Sequence, residues 1–256
     1  MPEAITVQDL TITPTQGGVT APAGFRSAAL HCGIKVKADA LDLTVIAADA
    51  PASAAGLFTT NLAQAAPVLV SKQHLARTGG VARAIVVNSG CANACTGDQG
   101  MSDAKRMATD VAGALACDPS EVLVASTGVI GVNLKMDRVS PGIQGAIAAL
   151  ARGKGSETAR AIMTTDPFPK EYAVTVQTGR GLFTVGGTAK GSGMIEPNMA
   201  TMLGFLTTDA KVSPALLDRA LRESARDTFN AITVDGECST NDSLFPGLGR
   251  ERRHDR

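Results

Sequence analysis

The pair Ala200–Thr201 follows a glycine-rich turn that begins at Lys190, and it sets a hydroxyl directly after a small residue. A hydroxyl in this position can attack the carbonyl carbon of Ala200 and form an ester, whose hydrolysis leaves Thr201 as a new N-terminus. The freed α-amino group, with a pKa of about 8, can then activate the threonine's own hydroxyl. The pattern predicts a self-cleaving threonine nucleophile. The structural alternative is that Thr201, a β-branched residue, opens a strand.

A second candidate is the Ser-Thr-Gly-Val-Ile-Gly sequence at residues 126–131, which follows a predicted strand at 122–125. The Thr127 hydroxyl and the Gly128 backbone N–H can point at one oxygen, and this geometry stabilises the anion of a tetrahedral intermediate. The alternative is a turn that uses glycine for its backbone freedom. A phosphate-binding loop is excluded because no Gly-Lys-Ser/Thr sequence follows.

A third candidate combines the Thr-Thr-Asp sequence at residues 164–166 with Lys190. Threonine hydroxyls and a lysine ammonium suit a substrate that carries carboxylate and amide groups. The alternatives are that Thr164 caps a helix end and that the Lys190 side chain lies in solvent. The acidic run at residues 235–242 contains candidates for a general acid or base, although a plain polar turn is the favoured interpretation.

Histidine-dependent and metal-dependent chemistry have little support. The three histidines, His31, His74 and His254, have no plausible serine nucleophile beside them. The five cysteines are interpreted as reduced thiols, because their number is odd and no export signal precedes them. Cys91 and Cys95 are separated by three residues and have no histidine nearby, and a zinc site needs four ligands, which no second pair supplies. We therefore expect no metal.

The composition favours a globular protein that acts on a small molecule. Hydrophobic residues make up 44% of the 256 residues, which is enough for a substantial core. The 24 basic residues balance 24 acidic ones, so no net field attracts nucleic acid or an anionic membrane. The sequence shows neither an N-terminal signal pattern nor an apolar run of about 18 residues, and the expected location is the cytoplasm.

Short runs rich in Val or Ile alternate with helical segments, which predicts a mixed α/β fold of layered sheets and helices. The predicted strands cover residues 43–48, 68–70, 84–88, 122–125, 173–176, 182–185, 202–206 and 231–234. Ser140-Pro141 and Ser213-Pro214 each predict a helix start, with a capping serine before a proline at the first helical position. The helix after Ser213 repeats apolar residues at helical spacing and should lie on a sheet. Further helices are predicted over 103–115 and from 156 to about 163.

Five longer motifs follow one another along the chain. They cover residues 88–97 (NSGCANACTG), 125–131, 161–166 (AIMTTD), 190–209 and 235–243. In sequence and in order they resemble the ornithine acetyltransferase family, also called bifunctional glutamate N-acetyltransferase, of arginine biosynthesis. The agreement of several ordered motifs is far more specific than any one of them.

The resemblance implies that the chain is cut between Ala200 and Thr201 into two pieces that remain associated. The α chain would comprise residues 1–200 and the β chain residues 201–256. The implied fold is a layered α+β sandwich that resembles the N-terminal nucleophile hydrolases without sharing their topology. The implied assembly is an α2β2 hetero-oligomer or a larger complex.

The resemblance also implies a role for each candidate residue. Thr201 would be the acyl-accepting nucleophile, and Thr127 and Gly128 would form the oxyanion hole. Thr164, Lys190 and Thr201 would bind substrate. The implied reaction is ping-pong, in which Thr201 takes the acetyl group from N2-acetylornithine, ornithine leaves, and glutamate accepts the acetyl group. No cofactor is implied, and acetyl-CoA is a further acetyl donor in some members.

The chain departs from the family pattern after Phe245. Family members continue with further strands, helices and site residues, whereas residues 246–256 are rich in charge and glycine and are expected to be disordered. We therefore expect a truncated β chain, with apolar area left exposed. Two alternatives stay open, namely a non-catalytic remnant and a self-cleaving hydrolase of the aminopeptidase kind.

Overall fold

A computed structural model describes residues 5–7, 10–195, 202–245 and 249–250. Its strands in these ranges are, in chain order, β1 (Ile5–Val7), β2 (Leu10–Thr15), β3 (Phe25–Leu30), β4 (Leu43–Ser53), β5 (Leu57–Phe58), β6 (Val81–Cys91), β7 (Val122–Val129), β8 (Lys170–Thr178), β9 (Gly181–Lys190), β10 (Leu203–Thr208), β11 (Ser243–Phe245) and β12 (Gly249–Arg250). Its α-helices are α1 (Ala66–Thr78), α2 (Gly97–Leu115), α3 (Met136–Ala148), α4 (Gly155–Ala161) and α5 (Pro214–Arg226).

The strands form two sheets. The larger sheet has seven strands in the order β1-β2-β8-β9-β10-β11-β5. The smaller sheet has five strands, in which β12, β4, β6 and β7 follow one another and β3 also pairs with β4. Most neighbours are antiparallel, but β6 runs parallel to β7 and β10 runs parallel to β11. Helix α2 lies in the crossover that the parallel pair β6 and β7 requires.

The two sheets pack face to face between helical layers. Neighbouring residues of β4 point to opposite faces, so Val45 packs in the core with α1, α2 and α3 while Ile46 faces the other sheet. Phe205 and Phe245 fill the space between the sheets, with ring centroids 5.9 Å apart. Helix α5 covers part of the outer face of the seven-stranded sheet through Leu217. The layers are thus helix, sheet, sheet and helix, as predicted.

Helix α5 begins where the sequence predicts. The Ser213 side chain accepts a hydrogen bond from the Leu216 backbone nitrogen, and Pro214 is the first helical residue. Leu217 and Leu221, one turn apart, are buried against the sheet. The local cap and the helical period therefore specify the same helix.

Two local predictions are wrong near the start of helices. Residues 68–70 form part of α1 and not a strand, because a run of three apolar residues is too short to reveal its period. Helix α3 begins at Met136, so Pro141 lies inside it. Val139 and Ile143, one turn apart, are both buried in the core. This packing outweighs the local start signal.

The strand predicted at residues 231–234 is also wrong. Phe229–Ala231 forms a 3₁₀ turn, and the loop after it returns to the segment behind β9, where the Val234 backbone nitrogen donates to the Ile195 carbonyl. Of the tail that was expected to be disordered, Gly249–Arg250 pairs with β4. The other residues of 246–256 lie outside the described ranges.

Apolar area is exposed on the outer face of β8 and beside the start of this strand. Tyr172 of β8 and Phe168, which precedes the strand, are both more than half exposed. A groove of about 470 Å³ runs along this face. No helix in the described ranges is long and apolar enough to cross a bilayer.

Candidate active site

The candidate oxyanion residues lie where β6 and β7 end side by side. The parallel register pairs Ser89 with Thr127 and Gly90 with Gly128, and a bulge follows at Cys91. Thr127 is buried. Gly128 has a φ of +131°, and a Cβ atom there would lie 2.3 Å from the carbonyl carbon of Gly90. Glycine is therefore required, because the backbone comes so close to the neighbouring strand.

Buried polar side chains support this strand end. Ser126 Oγ donates a hydrogen bond of 2.6 Å to Asn88 Oδ1, and Asn88 Nδ2 donates one of 2.8 Å to a backbone carbonyl of the bulge. Ser89 Oγ donates to the carbonyl of Ala161, the last residue of α4. The adjoining ends of β6 and β7 together with Ala92, residues 88–92 and 126–128, are the candidate oxyanion segment, and the Ser89 hydrogen bond joins them to the segment that leads to Thr164.

Lys190 is the last residue of β9 and pairs with Leu203 of β10. The alternative that its side chain lies in solvent is wrong, because the residue is only 4% exposed. Burial lowers the pKa of Lys190 to about 8, since it penalises the charged form. The negative charges of Asp166 and Asp242 oppose this decrease, and the positive charge of Lys170 adds to it.

Asp166 links the loop that carries Thr164 to the end of β9, where Lys190 lies. Its Oδ1 accepts hydrogen bonds from Lys170 Nζ at 2.6 Å and from the Gly191 backbone nitrogen at 2.8 Å. Its Oδ2 accepts one from the Thr164 backbone nitrogen at 3.2 Å. Burial alone raises the pKa of Asp166, but these hydrogen bonds outweigh it and hold the pKa below its usual value. Thr164 lies beyond the end of α4 and does not cap it.

Lys35 is a cation of this site that the sequence did not reveal. Its Nζ donates hydrogen bonds of 2.8 Å to the carbonyls of Leu41 and Met163. Burial lowers the pKa of Lys35, and the charges of Asp42 and Asp166 oppose the decrease. No local motif marks this residue, because its partner Met163 is 128 positions away.

The acidic run is a polar turn at its start, as favoured from the sequence. The Asp235 carboxylate accepts hydrogen bonds from the backbone nitrogens of Met194 and Ile195, the latter at 2.7 Å, and so holds the loop after β9. The end of the run has a further role that the sequence interpretation missed. Ser239 and Asn241 are buried and line the site.

These groups surround one cavity of about 620 Å³. Four of the predicted residues lie on its wall, namely Thr127, Gly128, Thr164 and Lys190. The wall also includes Lys35, Thr165, Glu237, Ser239 and Asn241. Hydroxyl, amide and ammonium groups thus face one volume that is large enough for a small amino-acid derivative.

The predicted cleavage pair, Ala200 and Thr201, lies outside the described residues. The next residue, Met202, is described, and its backbone nitrogen donates a hydrogen bond of 2.9 Å to Asp242 Oδ1. Strand β10 then begins at Leu203, which pairs with Lys190. The strand that follows Thr201 in the chain therefore starts beside the buried lysine.

The cysteines do not assemble with other ligands in the described part of the chain. No group of three or more His, Cys, Asp or Glu side chains there could hold a metal ion. Cys91 is buried, and its Sγ donates to the carbonyl of Val132. Cys95 is exposed.

Many known proteins resemble this chain, and three of them illustrate the range of the similarity. The "Arginine biosynthesis bifunctional protein ArgJ" of Symbiobacterium thermophilum is 55% identical over 230 residues, which are 90% of this chain and 57% of that protein. A crystal structure described as ornithine acetyltransferase complexed with ornithine, from Mycobacterium tuberculosis, matches with a TM-score of 0.66 and 40% identity, covering 75% of this chain and all of that chain.

The third is the L-aminopeptidase D-Ala-esterase/amidase of Ochrobactrum anthropi, a variant of the N-terminal nucleophile hydrolase fold. It matches with a TM-score of 0.56 and 14% identity, over 93% of this chain and 76% of that chain. This likeness confirms the predicted layered fold and says nothing about activity.

The chain spans a little more than half the length of the curated relatives that it matches. The family model described as "ArgJ family" matches residues 26–246, which is most of the chain. The resemblance inferred from the ordered motifs is therefore confirmed, and the chain belongs to the ArgJ family.

Proposed function

We propose that this chain carries the nucleophile and oxyanion part of an acetyltransferase that moves an acetyl group from N2-acetylornithine to glutamate. The observation that carries the proposal is the convergence of Thr127, Gly128, Thr164 and Lys190 on one cavity, beside the strand that follows Thr201. The relative that was crystallised with ornithine supports the substrate class.

The first step in the proposal is self-cleavage between Ala200 and Thr201. The Mycobacterium tuberculosis chain is matched over its full length yet corresponds to 75% of this chain, whereas the Symbiobacterium relative is matched over 57% of its own length. The matched polypeptide of that crystal is thus much shorter than the Symbiobacterium relative, as cleavage into two pieces would produce. The new amine of Thr201 then has a pKa of about 8 and can accept the hydroxyl proton.

In the first half-reaction, the Thr201 oxygen bonds to the acetyl carbonyl carbon while its proton passes to the free α-amino group. The carbonyl oxygen becomes an anion, which the donors at Thr127 and Gly128 stabilise. When the intermediate collapses, the carbon–nitrogen bond breaks and ornithine leaves with the transferred proton. In the second half-reaction, the glutamate amine attacks the ester and the Thr201 hydroxyl is restored.

The cations of the cavity suit substrates that carry carboxylates. Lys190 is mostly charged at neutral pH, because its pKa of about 8 is higher than that pH. Its burial strengthens an ion pair with a substrate carboxylate, since little water screens the interaction. Lys35 adds a second cation on the same wall, and Thr164 adds a hydroxyl. We assign substrate binding to these groups.

We propose that the whole enzyme contains more polypeptide than this chain, as the curated relatives do. The pieces before and after Thr201 would stay associated, and an α2β2 assembly is the proposed form. Acetyl-CoA is a proposed second acetyl donor, no other cofactor is invoked, and the cytoplasm is the proposed location.

Peptide mapping after incubation with N2-acetylornithine tests the proposal. We expect one acetyl group on the peptide that begins with Thr201, and ornithine in equal amount. Thr201→Ala should abolish both, whereas Thr109→Ala, which removes an exposed threonine of α2, should change neither. Acetate release at the same rate with and without glutamate would favour a hydrolase. The absence of both acetylation and acetate release would indicate a non-catalytic chain.

A further inference from the structure

Asn241 joins the ends of the two strands that form the oxyanion segment. The residue is only 6% exposed, and its Nδ2 donates hydrogen bonds of 2.6 Å to the Ala92 carbonyl and 2.9 Å to the Ser126 carbonyl. The Ser126 carbonyl and the Thr127 N–H belong to one planar trans peptide, in which they point in opposite directions. Fixing the carbonyl therefore fixes the plane of the peptide that leads into Thr127, whose hydroxyl and following Gly128 N–H are the proposed oxyanion donors.

The next residue, Asp242, holds the start of the nucleophile strand. Its buried Oδ1 accepts a hydrogen bond of 2.9 Å from the Met202 backbone nitrogen. The backbone nitrogen of Ser243 donates one of 3.1 Å to the Met202 carbonyl. Both backbone polar groups of Met202 are thus bonded by neighbouring residues of one short segment. Met202 is covalently bonded to Thr201.

We propose that Asn241 and Asp242 are positioning residues that set the distance between the oxyanion segment and Thr201. Asn241 and Asp242 are adjacent, and consecutive Cα atoms are about 3.8 Å apart. The hydrogen bonds to the oxyanion segment and to Met202 therefore start from one dipeptide. The inference rests on the proposed function, because it assigns these contacts to a nucleophile at Thr201. Neither side chain is required to touch the substrate.

Cleavage makes this connection more important. Asn241 and Asp242 belong to the piece that follows the bond between residues 200 and 201, while Ala92 and Ser126 belong to the piece that precedes it. Once that bond breaks, chain continuity no longer relates the oxyanion segment to Thr201. The hydrogen bonds of Asn241 then cross directly from one piece to the other.

A matched control exists in the same segment. Asn61 Nδ2 donates a hydrogen bond of 3.0 Å to the Cys238 carbonyl, so it also ties this segment to the rest of the chain. Among the described residues, Asn61 has no hydrogen bond to β6, β7 or Met202. Asn61→Leu therefore removes an equivalent amide without touching the proposed connection.

The experiment compares wild type, Asn241→Leu and Asn61→Leu by hydrogen–deuterium exchange, intact mass and thermal unfolding. We expect Asn241→Leu to speed exchange in peptides that cover residues 122–129 and to slow formation of the two pieces by at least about tenfold, since small displacements of reacting groups carry large rate effects. Asn61→Leu should leave both unchanged. Asp242→Asn, which keeps an acceptor oxygen, should cleave faster than Asp242→Ala.

The outcomes separate this inference from the proposed function. Unchanged exchange over residues 122–129 in Asn241→Leu would overturn the inference, as would an equal loss of cleavage in Asn241→Leu and Asn61→Leu. An uncut wild type with faster exchange only in Asn241→Leu would refute self-cleavage and retain the connection. If Asn241→Leu does not fold, Asn241→Ser, whose shorter side chain cannot span both carbonyls, is measured in its place against the same criteria.

Discussion

Asp166 Oδ1 accepts a hydrogen bond of 2.8 Å from the backbone nitrogen of Gly191, the residue that follows Lys190. Burial, the largest influence, lowers the pKa of Lys190, and the charge of Asp166 counteracts it. Lys170 donates to the same carboxylate oxygen, and its own positive charge lowers the pKa of Lys190 further. Asp166 and Lys170, which carry opposite charges, therefore shift the pKa of the buried Lys190 in opposite directions.

Separate substitutions of Asp166 and Lys170 should move the pKa of Lys190 in opposite directions. Asp166→Asn removes a negative charge, so the pKa should fall further below about 8. Lys170→Met removes a positive charge, so the pKa should rise. Titration of labelled lysine side chains by NMR measures both shifts. Shifts of the same sign in the two variants would show that packing, not charge, controls this group.

Because Lys190 is buried, the free energy of unfolding should change with pH in the alkaline range. Its pKa is lowered from 10.5 in the unfolded chain to about 8 in the folded one, so the unfolded state binds more protons between these values and stability rises with pH there. The full difference corresponds to about 3 kcal/mol. Urea unfolding should show about 2 kcal/mol of this gain between pH 8 and pH 10 in wild type and none of it in Lys190→Met. The exposed-site variant Lys211→Met should keep it.

Replacement of Gly128, the proposed oxyanion glycine, should destabilise the fold far more than replacement of a nearby glycine that also has a positive φ. Gly128→Ala places a Cβ atom 2.3 Å from the Gly90 carbonyl carbon, whereas at Gly131, with a φ of +82°, a Cβ atom meets nothing within 4 Å. We expect Gly131→Ala to cost about 1 kcal/mol, the penalty of the left-handed backbone. Gly128→Ala should cost at least about 3 kcal/mol. Equal midpoints in urea unfolding would contradict the close approach of the strands.

Removal of the Lys35 ammonium should weaken ligand binding. Lys35→Met leaves the Met163 carbonyl without this donor, so the loop that carries Thr164 loses a support. We expect the affinity for ornithine, measured by calorimetry, to fall by about tenfold, which corresponds to about 1.4 kcal/mol. Lys37→Met, at an exposed lysine of the same loop, is the control. An unchanged dissociation constant in Lys35→Met would exclude this support.

Local signals predicted much of the fold. The Ser213 cap and the Leu217 repeat specify helix α5, and runs of Val and Ile located the central strands. These signals failed where packing between residues distant in sequence determines the structure. Helix α3 is an example, because its start at Met136 depends on burial of Val139 and Ile143 against the sheet. Strands such as β2 and β3 lack a strong apolar run and were not predicted.

The candidate site was predicted only where a local motif marks it. Thr127, Gly128, Thr164 and Lys190 lie in motifs, and all four line the cavity. Lys35 and the end of the acidic run were missed, since their partners are distant in sequence. Asn241 is 149 positions from Ala92 and 115 from Ser126, and such pairings arise only when the sheets come together.

Intact-mass measurement of the purified chain, with N-terminal sequencing of every component, tests the central claim most directly. We predict two pieces that remain associated, the second of which begins with Thr201, and a single uncut chain for Thr201→Ala. A wild-type chain that stays whole, or that is cut before another residue, would contradict the account.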